Sequence, residues 1–125
     1  MSAVNYKLSV TQPELVQRLT FDEGHFSRQT FGDPDLQREI IQLFLGQVKD
    51  ARNALSRPMT TTAWRFLTHT LKGAAASVGA SRMAQMASEW ELAGSPQDPA
   101  LRDEILMAFE AEAKAFGEAV RPFCD

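Results

Sequence analysis

His69 has neighbours in the sequence that suit nucleophilic chemistry, because Lys72 follows it by three positions and Gly73 by four. An exposed imidazole is largely neutral at pH 7 and can act as a nucleophile. On a helix, Lys72 would share the side of His69 and could offset the charge of an incoming phosphoryl group. Gly73 would leave room for that group, although a glycine within a helix costs about 1 kcal/mol relative to alanine. These three residues predict a histidine that accepts a phosphoryl group.

The helix predicted around His69 would expose this side chain to solvent. Its apolar positions fall within an arc of about 100° on a helical wheel: Trp64, Leu67, Leu71, Ala74, Ala75 and Val78. His69 lies roughly 170° from the centre of that arc. Arg65, Phe66 and Ala76 fall on the exposed side, and we expect them to contact a partner. An exposed histidine is usually ordinary solvated surface, so the prediction depends on its combination with the lysine and the glycine.

The other histidine, His25, follows Asp22 by three positions, as in a carboxylate–histidine metal pair. A di-iron bundle needs two such pairs. Phe66 stands where the second carboxylate would be, three residues before His69, so we expect no bound metal and a structural or solvent-exposed His25. The chain also lacks a glycine-rich loop with a Walker lysine and a serine nucleophile elbow. We therefore expect no ATP binding and no autophosphorylation.

Several charged residues have no predicted chemistry. Glu89 and Glu91 are interpreted as a solvated face of the third long helix, and Arg82 as a residue that could reach a partner. Glu112 falls within an apolar stripe, and the pattern gives no reason for it.

The stretch around His69 resembles the signature of histidine-containing phosphotransfer (HPt) domains. That signature is His, any residue, Leu, Lys, Gly, five residues and Gly, which here reads His69-Thr70-Leu71-Lys72-Gly73 and then Gly79. Two upstream features are also similar to the family, Asp33-Pro34-Asp35-Leu36 and Leu43-Phe44. The resemblance covers roughly Phe21 to the end of the chain, and Gly79 is also explained by helix termination alone.

The resemblance implies a function for these residues in a multistep two-component phosphorelay. His69 would accept a phosphoryl group from a receiver-domain aspartate and pass it on, Lys72 would stabilise that group, and Gly73 would provide clearance. The implied partners are response-regulator receiver domains or a hybrid histidine kinase. The chain would carry phosphohistidine without kinase activity or a cofactor of its own, and Mg²⁺ is expected on the receiver. Two alternatives stay open: phosphorylation in trans by a chemotaxis-type kinase, and a non-catalytic helical adaptor.

Helical periodicity predicts an all-α fold, an antiparallel up-and-down four-helix bundle with one or two short extra N-terminal helices. The short helices would run from Thr11 to Leu19 and from Phe21 to Thr30. The long ones would start at Asp33-Pro34, Thr60 or Thr61, Ser81 and Asp98-Pro99. Gly79 would end the second of them in a left-handed conformation, and Ser81 would cap the third. The first long helix has the predicted apolar stripe Leu36, Ile40, Leu43, Phe44, Val48, Ala51 and Leu55. We expect residues 1–20 to be an extension and residues 21–125 to form the bundle.

Length and charge limit the other functions. The chain has 125 residues, a formal net charge of −3 and one cysteine, Cys124. This length predicts a single domain, and the charge argues against binding to nucleic acid or an anionic membrane. One cysteine cannot form an internal disulfide, and no signal peptide or membrane span is evident. We therefore expect a monomer in a reducing cytoplasm.

Overall fold

The computed structural model describes residues 19–124, which form a helical bundle. The helices are α1 (Glu23–Gln29), α2 (Pro34–Leu55), α3 (Thr61–Val78), α4 (Ser81–Ala93) and α5 (Pro99–Ala119), followed by a 3₁₀ turn at Arg121–Phe123. No β-strand occurs within the described range, which confirms the all-α prediction. The helix predicted to start at Thr11 lies outside the described residues.

The helix starts follow the capping chemistry of the sequence. The carboxylate of Asp33 accepts hydrogen bonds from the backbone N–H groups of Asp35 and Leu36 at the start of α2. Asp98 caps α5 by accepting from Ala100. The hydroxyl of Thr60 caps α3. These caps satisfy N–H groups that have no partner within the helix, which is why the predicted starts are confirmed.

The start of α4 differs from the prediction that Ser81 caps it. Ser81 is the first helical residue, and Ala80 precedes it without a side-chain cap. The N–H of Arg82 donates instead to the carbonyl of Leu19 at 2.8 Å, so the chain before α1 takes the place of the cap. Gly79 ends α3 with a φ of +84°, the left-handed conformation predicted for it.

The four long helices pack in a ring. α2 contacts α3 and α5, α4 contacts the same two helices, and α1 packs on α3. The interior is filled by aromatic and aliphatic side chains, and the rings of Phe44 and Phe116 meet at 5.2 Å between centroids. No helix among the described residues is long and apolar enough to cross a membrane.

One position of the predicted stripe on α2 is wrong. Leu43 is 66% exposed, whereas Ile41 is fully buried. Gln37 is also buried, where its side-chain amide donates to the hydroxyl of Thr30 at 3.0 Å. The buried face of α2 is therefore rotated away from Leu43, and a polar residue joins it because a hydrogen-bond partner is available.

Candidate functional site

Helix α3 separates its apolar face from the side that contains His69. Its buried residues are Trp64, Thr68, Leu71, Ala75 and Val78. The indole N–H of Trp64 donates to the carbonyl of Trp90 at 2.9 Å, which ties α3 to α4 beneath the site. The His69 side chain is 74% exposed, as the helical wheel predicts.

The imidazole of His69 is held by a carboxylate on the neighbouring helix. Its Nδ1 lies 3.0 Å from Oε2 of Glu91, whose side chain is only 23% exposed. An ionised carboxylate only accepts hydrogen bonds, so Nδ1 has the proton and donates it. In the neutral imidazole Nε2 then has the lone pair, and no described residue hydrogen-bonds to it.

Lys72 shares the same carboxylate. Its ammonium nitrogen lies 3.8 Å from Oε1 of Glu91, and its side chain is about half exposed. Glu91 therefore connects His69 and Lys72 and holds a positive charge close to the imidazole. At this exposure the charge attracts an anion only over a short range, because water and salt screen it.

Gly73 lies on open surface. A Cβ atom added at this position would have no neighbour within 4 Å outside its own helix. The same is true of Gly46 and Gly117. Packing within the described residues therefore does not require glycine at position 73, in contrast to Gly79, whose added Cβ would lie 2.7 Å from the carbonyl oxygen of Asp22.

The predicted docking residues lie on two sides of His69. Ala76 and Lys72 line a groove of about 540 Å³ between α3 and α4, together with residues of α4 and the start of α1. Phe66 is 73% exposed and Arg65 is exposed, but neither lines this groove. His69 thus lies between an exposed aromatic ring on one side and a concave surface on the other.

His25 is engaged in fold contacts. Its Nε2 lies 3.2 Å from the carbonyl oxygen of Ser77, near the end of α3, and must donate because a carbonyl only accepts. Asp22 caps α1 by accepting from the backbone N–H of His25 at 3.0 Å. Among the described residues, no group of three or more His, Cys, Asp or Glu side chains could hold a metal ion.

Two glutamates have contacts that the sequence interpretation missed. Glu91 was assigned to a solvated face, yet it is half-buried against His69 and Lys72. One signal could have found it: His69 lies ten residues before Gly79 and Glu91 lies eleven after Ala80. In two antiparallel helices joined by so short a turn, residues at similar distances from the turn face each other.

Glu112 has an explanation in the structure. It is buried, and its Oε1 lies 3.3 Å from Nε of Arg82. Burial raises the pKa of Glu112 above its ordinary value, while a hydrogen bond from Thr20 and the charge of Arg82 oppose that rise. Its Oε2 is buried without a hydrogen-bond partner. Glu112 therefore connects α5 to the start of α4.

The sequence model of the Hpt domain matches residues 38–116. That range is more than half of the 125 residues and includes His69, Lys72, Gly73 and Glu91. The chain belongs to the Hpt domain family. Hpt domains carry out histidine phosphotransfer in two-component systems, where they interact with receiver domains and kinases, and this Hpt domain is assigned to that process. No curated protein and no solved structure matches the chain.

Proposed function

We propose that this Hpt domain accepts a phosphoryl group on Nε2 of His69 from the aspartyl phosphate of a response-regulator receiver domain. The new bond joins Nε2 to phosphorus, the bond from phosphorus to the aspartate oxygen breaks, and the aspartate leaves as a carboxylate. The reverse reaction with a second receiver would pass the group on in a multistep phosphorelay. The observation that carries the proposal is an exposed imidazole with its Nδ1 held by Glu91 and its Nε2 directed at no other residue of the described chain.

Glu91 would contribute in two ways. Its hydrogen bond to Nδ1 selects the tautomer in which Nε2 is the nucleophile. When Nε2 forms the bond to phosphorus, the ring holds a proton on Nδ1 and becomes cationic. The adjacent carboxylate stabilises that charge, as an acidic partner stabilises an imidazolium in other histidine chemistry. We therefore assign Glu91 as a positioning residue for His69.

Lys72 would stabilise the phosphoryl group. In the absence of phosphate its ammonium group is 3.8 Å from Glu91. A phosphoryl group on His69 would have more negative charge than one carboxylate oxygen and would attract the flexible lysine side chain towards it. Positioning and neutralisation of charge supply most of the rate in phosphoryl transfer.

Gly73, Arg65, Phe66 and Ala76 would serve the approach and docking of the receiver. The open surface at Gly73 leaves space beside the imidazole for the acidic site of the partner. Arg65 and Phe66 would provide a charge and an apolar contact on one side, and Ala76 would lie under the partner on the other. Such a transient interface would bury less than about 1,200 Å².

The remaining parts of the reaction would come from the partner. The receiver would supply the aspartyl phosphate and its Mg²⁺, so this chain would need no cofactor of its own. We further propose that the Hpt domain acts as a cytoplasmic monomer, with residues 21–125 as the bundle and residues 1–20 as an extension.

The proposal is tested by incubating the full chain with a receiver domain that holds a radiolabelled phosphoryl group. Wild type should acquire label that is lost in acid and retained in base, as expected for phosphohistidine. His69→Gln should acquire none, whereas His25→Gln, the matched histidine control, should be labelled like wild type. Equal labelling of His69→Gln would refute the proposal. Label acquired only from a kinase and ATP would favour the chemotaxis-type alternative, and no label from either donor would favour an adaptor.

The role of Lys72 has its own test in the same assay. Lys72→Ala should slow transfer by about five- to ten-fold, since a partly exposed charge contributes on the order of 1 kcal/mol. Lys49→Ala, which removes a lysine from α2, should leave the rate unchanged. An unchanged rate for Lys72→Ala would exclude Lys72 from the mechanism.

A further inference from the structure

A second groove lies between α2 and α5, on the side of the bundle opposite His69. It has a volume of about 400 Å³, and its floor consists of Leu45, Val48 and Ala113. Because α2 and α5 pack on each other and α3 and α4 do the same, the two grooves face away from each other. A molecule in the α2–α5 groove would therefore leave His69 accessible.

The rim of the α2–α5 groove is positively charged. Lys49, Arg52 and Lys114 line it, with Glu110 as its single carboxylate. None of the three cations lies within 4.0 Å of a carboxylate in the described chain. Glu110 precedes Lys114 by four positions, a spacing that permits an ion pair, yet the two are not paired.

This concentration of positive charge is opposite in sign to the chain as a whole, which has a formal net charge of −3. Lys49 and Arg52 are three positions apart on one helix, where like charges repel and destabilise the helix by a few tenths of a kcal/mol. An anionic partner would remove that repulsion. Charge complementarity thus favours a partner that places acidic groups above the rim.

The dimensions of the groove select among acidic partners. From Leu45 to Arg52 it extends seven residues along α2, or about 10 Å, which is the length of two helical turns. Its floor is apolar, and no aromatic ring lines it to stack on a base. Three cations are also fewer than the six to ten or so phosphate contacts that support nucleic-acid binding. An apolar floor between charged rims suits an amphipathic helix.

We propose that the α2–α5 groove docks an acidic amphipathic helix of a partner protein. Apolar side chains of that helix would lie on Leu45, Val48 and Ala113, and glutamates or aspartates beside them would pair with the cations of the rim. The site is independent of the proposed phosphotransfer chemistry. Because it faces away from His69, the bound helix could tether a partner while a receiver domain reacts.

The test uses the full chain and a synthetic peptide of about four helical turns, with leucines along one face and glutamates beside them. Amide resonances should shift at residues 45–52 and 110–114, and those around His69 should not. Lys49→Glu combined with Arg52→Glu should weaken binding at least ten-fold. Arg57→Glu, at an exposed position just after the end of α2 and outside the groove, should change the peptide affinity less than two-fold. Binding should also weaken as salt is raised.

Several results would overturn the proposal. The first is the absence of saturable binding, and the second is equal binding of a peptide in which lysine replaces every glutamate. Stronger binding of inorganic phosphate or of anionic vesicles at the same residues would assign the groove to another ligand. Self-association abolished by Lys49→Glu would assign it to a second copy of this chain. No receiver is present in these measurements, so failure of the phosphotransfer proposal would not affect them.

Discussion

The hairpin of α3 and α4 has an open half around His69 and Gly73 and a closed half around Gly79, against which α1 packs. A histidine and a glycine occur in each setting, with opposite surroundings. In the open half, the His69 side chain is 74% exposed and an added Cβ at Gly73 would meet nothing. In the closed half, His25 donates to the Ser77 carbonyl, and an added Cβ at Gly79 would collide with the chain before α1.

This difference shows that hydrogen-bond partners, rather than residue type, determine what each histidine can do. His25 uses Nε2 to hold α1 against the end of α3. His69 uses Nδ1, which leaves Nε2 available to a partner. The lone pair of His25 is then on Nδ1, beside its own backbone, whereas that of His69 is on Nε2, at the outer end of an exposed ring. The two halves should therefore respond differently to mutation.

The largest effect expected from a residue other than His69 is at Glu91. Glu91→Ala removes the acceptor of the Nδ1 proton and should slow transfer by about 10- to 100-fold, since a hydrogen bond to a charged group contributes about 1.5–3 kcal/mol. Glu91→Gln should give a rate between those of wild type and Glu91→Ala, because the amide oxygen still accepts the Nδ1 proton but has no charge to stabilise the cationic ring. Glu118→Ala, at an exposed position of α5 outside the groove beside His69, is the control and should react like wild type. Transfer rates from a phosphorylated receiver would measure this, and an unchanged rate for Glu91→Ala would contradict the assigned role.

Alanine substitutions at Gly79 and Gly73 should change the free energy of unfolding in opposite directions, as measured by chemical denaturation. Gly79→Ala should lower the free energy of unfolding by about 2 kcal/mol, because alanine is strained at positive φ and its Cβ would displace Asp22. Gly73→Ala should raise it by about 0.5–1 kcal/mol, as should the control Gly46→Ala. Among leucine variants at these open positions, only Gly73→Leu should slow phosphotransfer. A loss of stability in Gly73→Ala would contradict the open-surface interpretation.

His25→Ala should affect stability alone. Loss of its hydrogen bond to Ser77 should lower the free energy of unfolding by about 1 kcal/mol. The rate of phosphotransfer per folded molecule should stay at the wild-type value. A variant that folds normally but transfers slowly would place His25 in the docking of the receiver.

Glu112, which contacts Arg82 beside the closed half, should make the free energy of unfolding depend on pH. Because burial raises its pKa, the folded chain favours the protonated acid more than the unfolded chain does. The contribution of protonated Glu112 to the free energy of unfolding is fully present below the ordinary pKa of a glutamate. It is lost as pH rises through the raised pKa. Glu112→Gln should therefore gain stability relative to wild type on going from about pH 4 to pH 7. Denaturation at several pH values would measure this, with exposed Glu110→Gln as the control that shows no such trend.

Local chemistry explains what could be predicted from the sequence. The Asp33-Pro34 and Asp98-Pro99 pairs and Gly79 define helix ends through contacts within a few residues, and the exposure of His69 follows from one helical wheel. The errors involve distant partners. Gln37 is buried because Thr30, on the preceding segment, offers it a hydrogen bond, and Leu43 is exposed although the periodicity places it in the apolar stripe. The role of Glu91 depends on a helix 22 positions away along the chain.

The short turn between α3 and α4 limits where residues can be inserted in this domain. Only Gly79 and Ala80 separate the two helices, whereas the links before α3 and α5 span residues 56–60 and 94–98. One residue inserted after Gly79 would turn α4 by about 100° and shift it by about 1.5 Å relative to α3. Glu91 would then leave His69, and Trp90 would leave Trp64. The longer links lie outside the α3–α4 hairpin, so insertions there do not change its register, and sequence length can vary while the distance between His69 and Glu91 is kept.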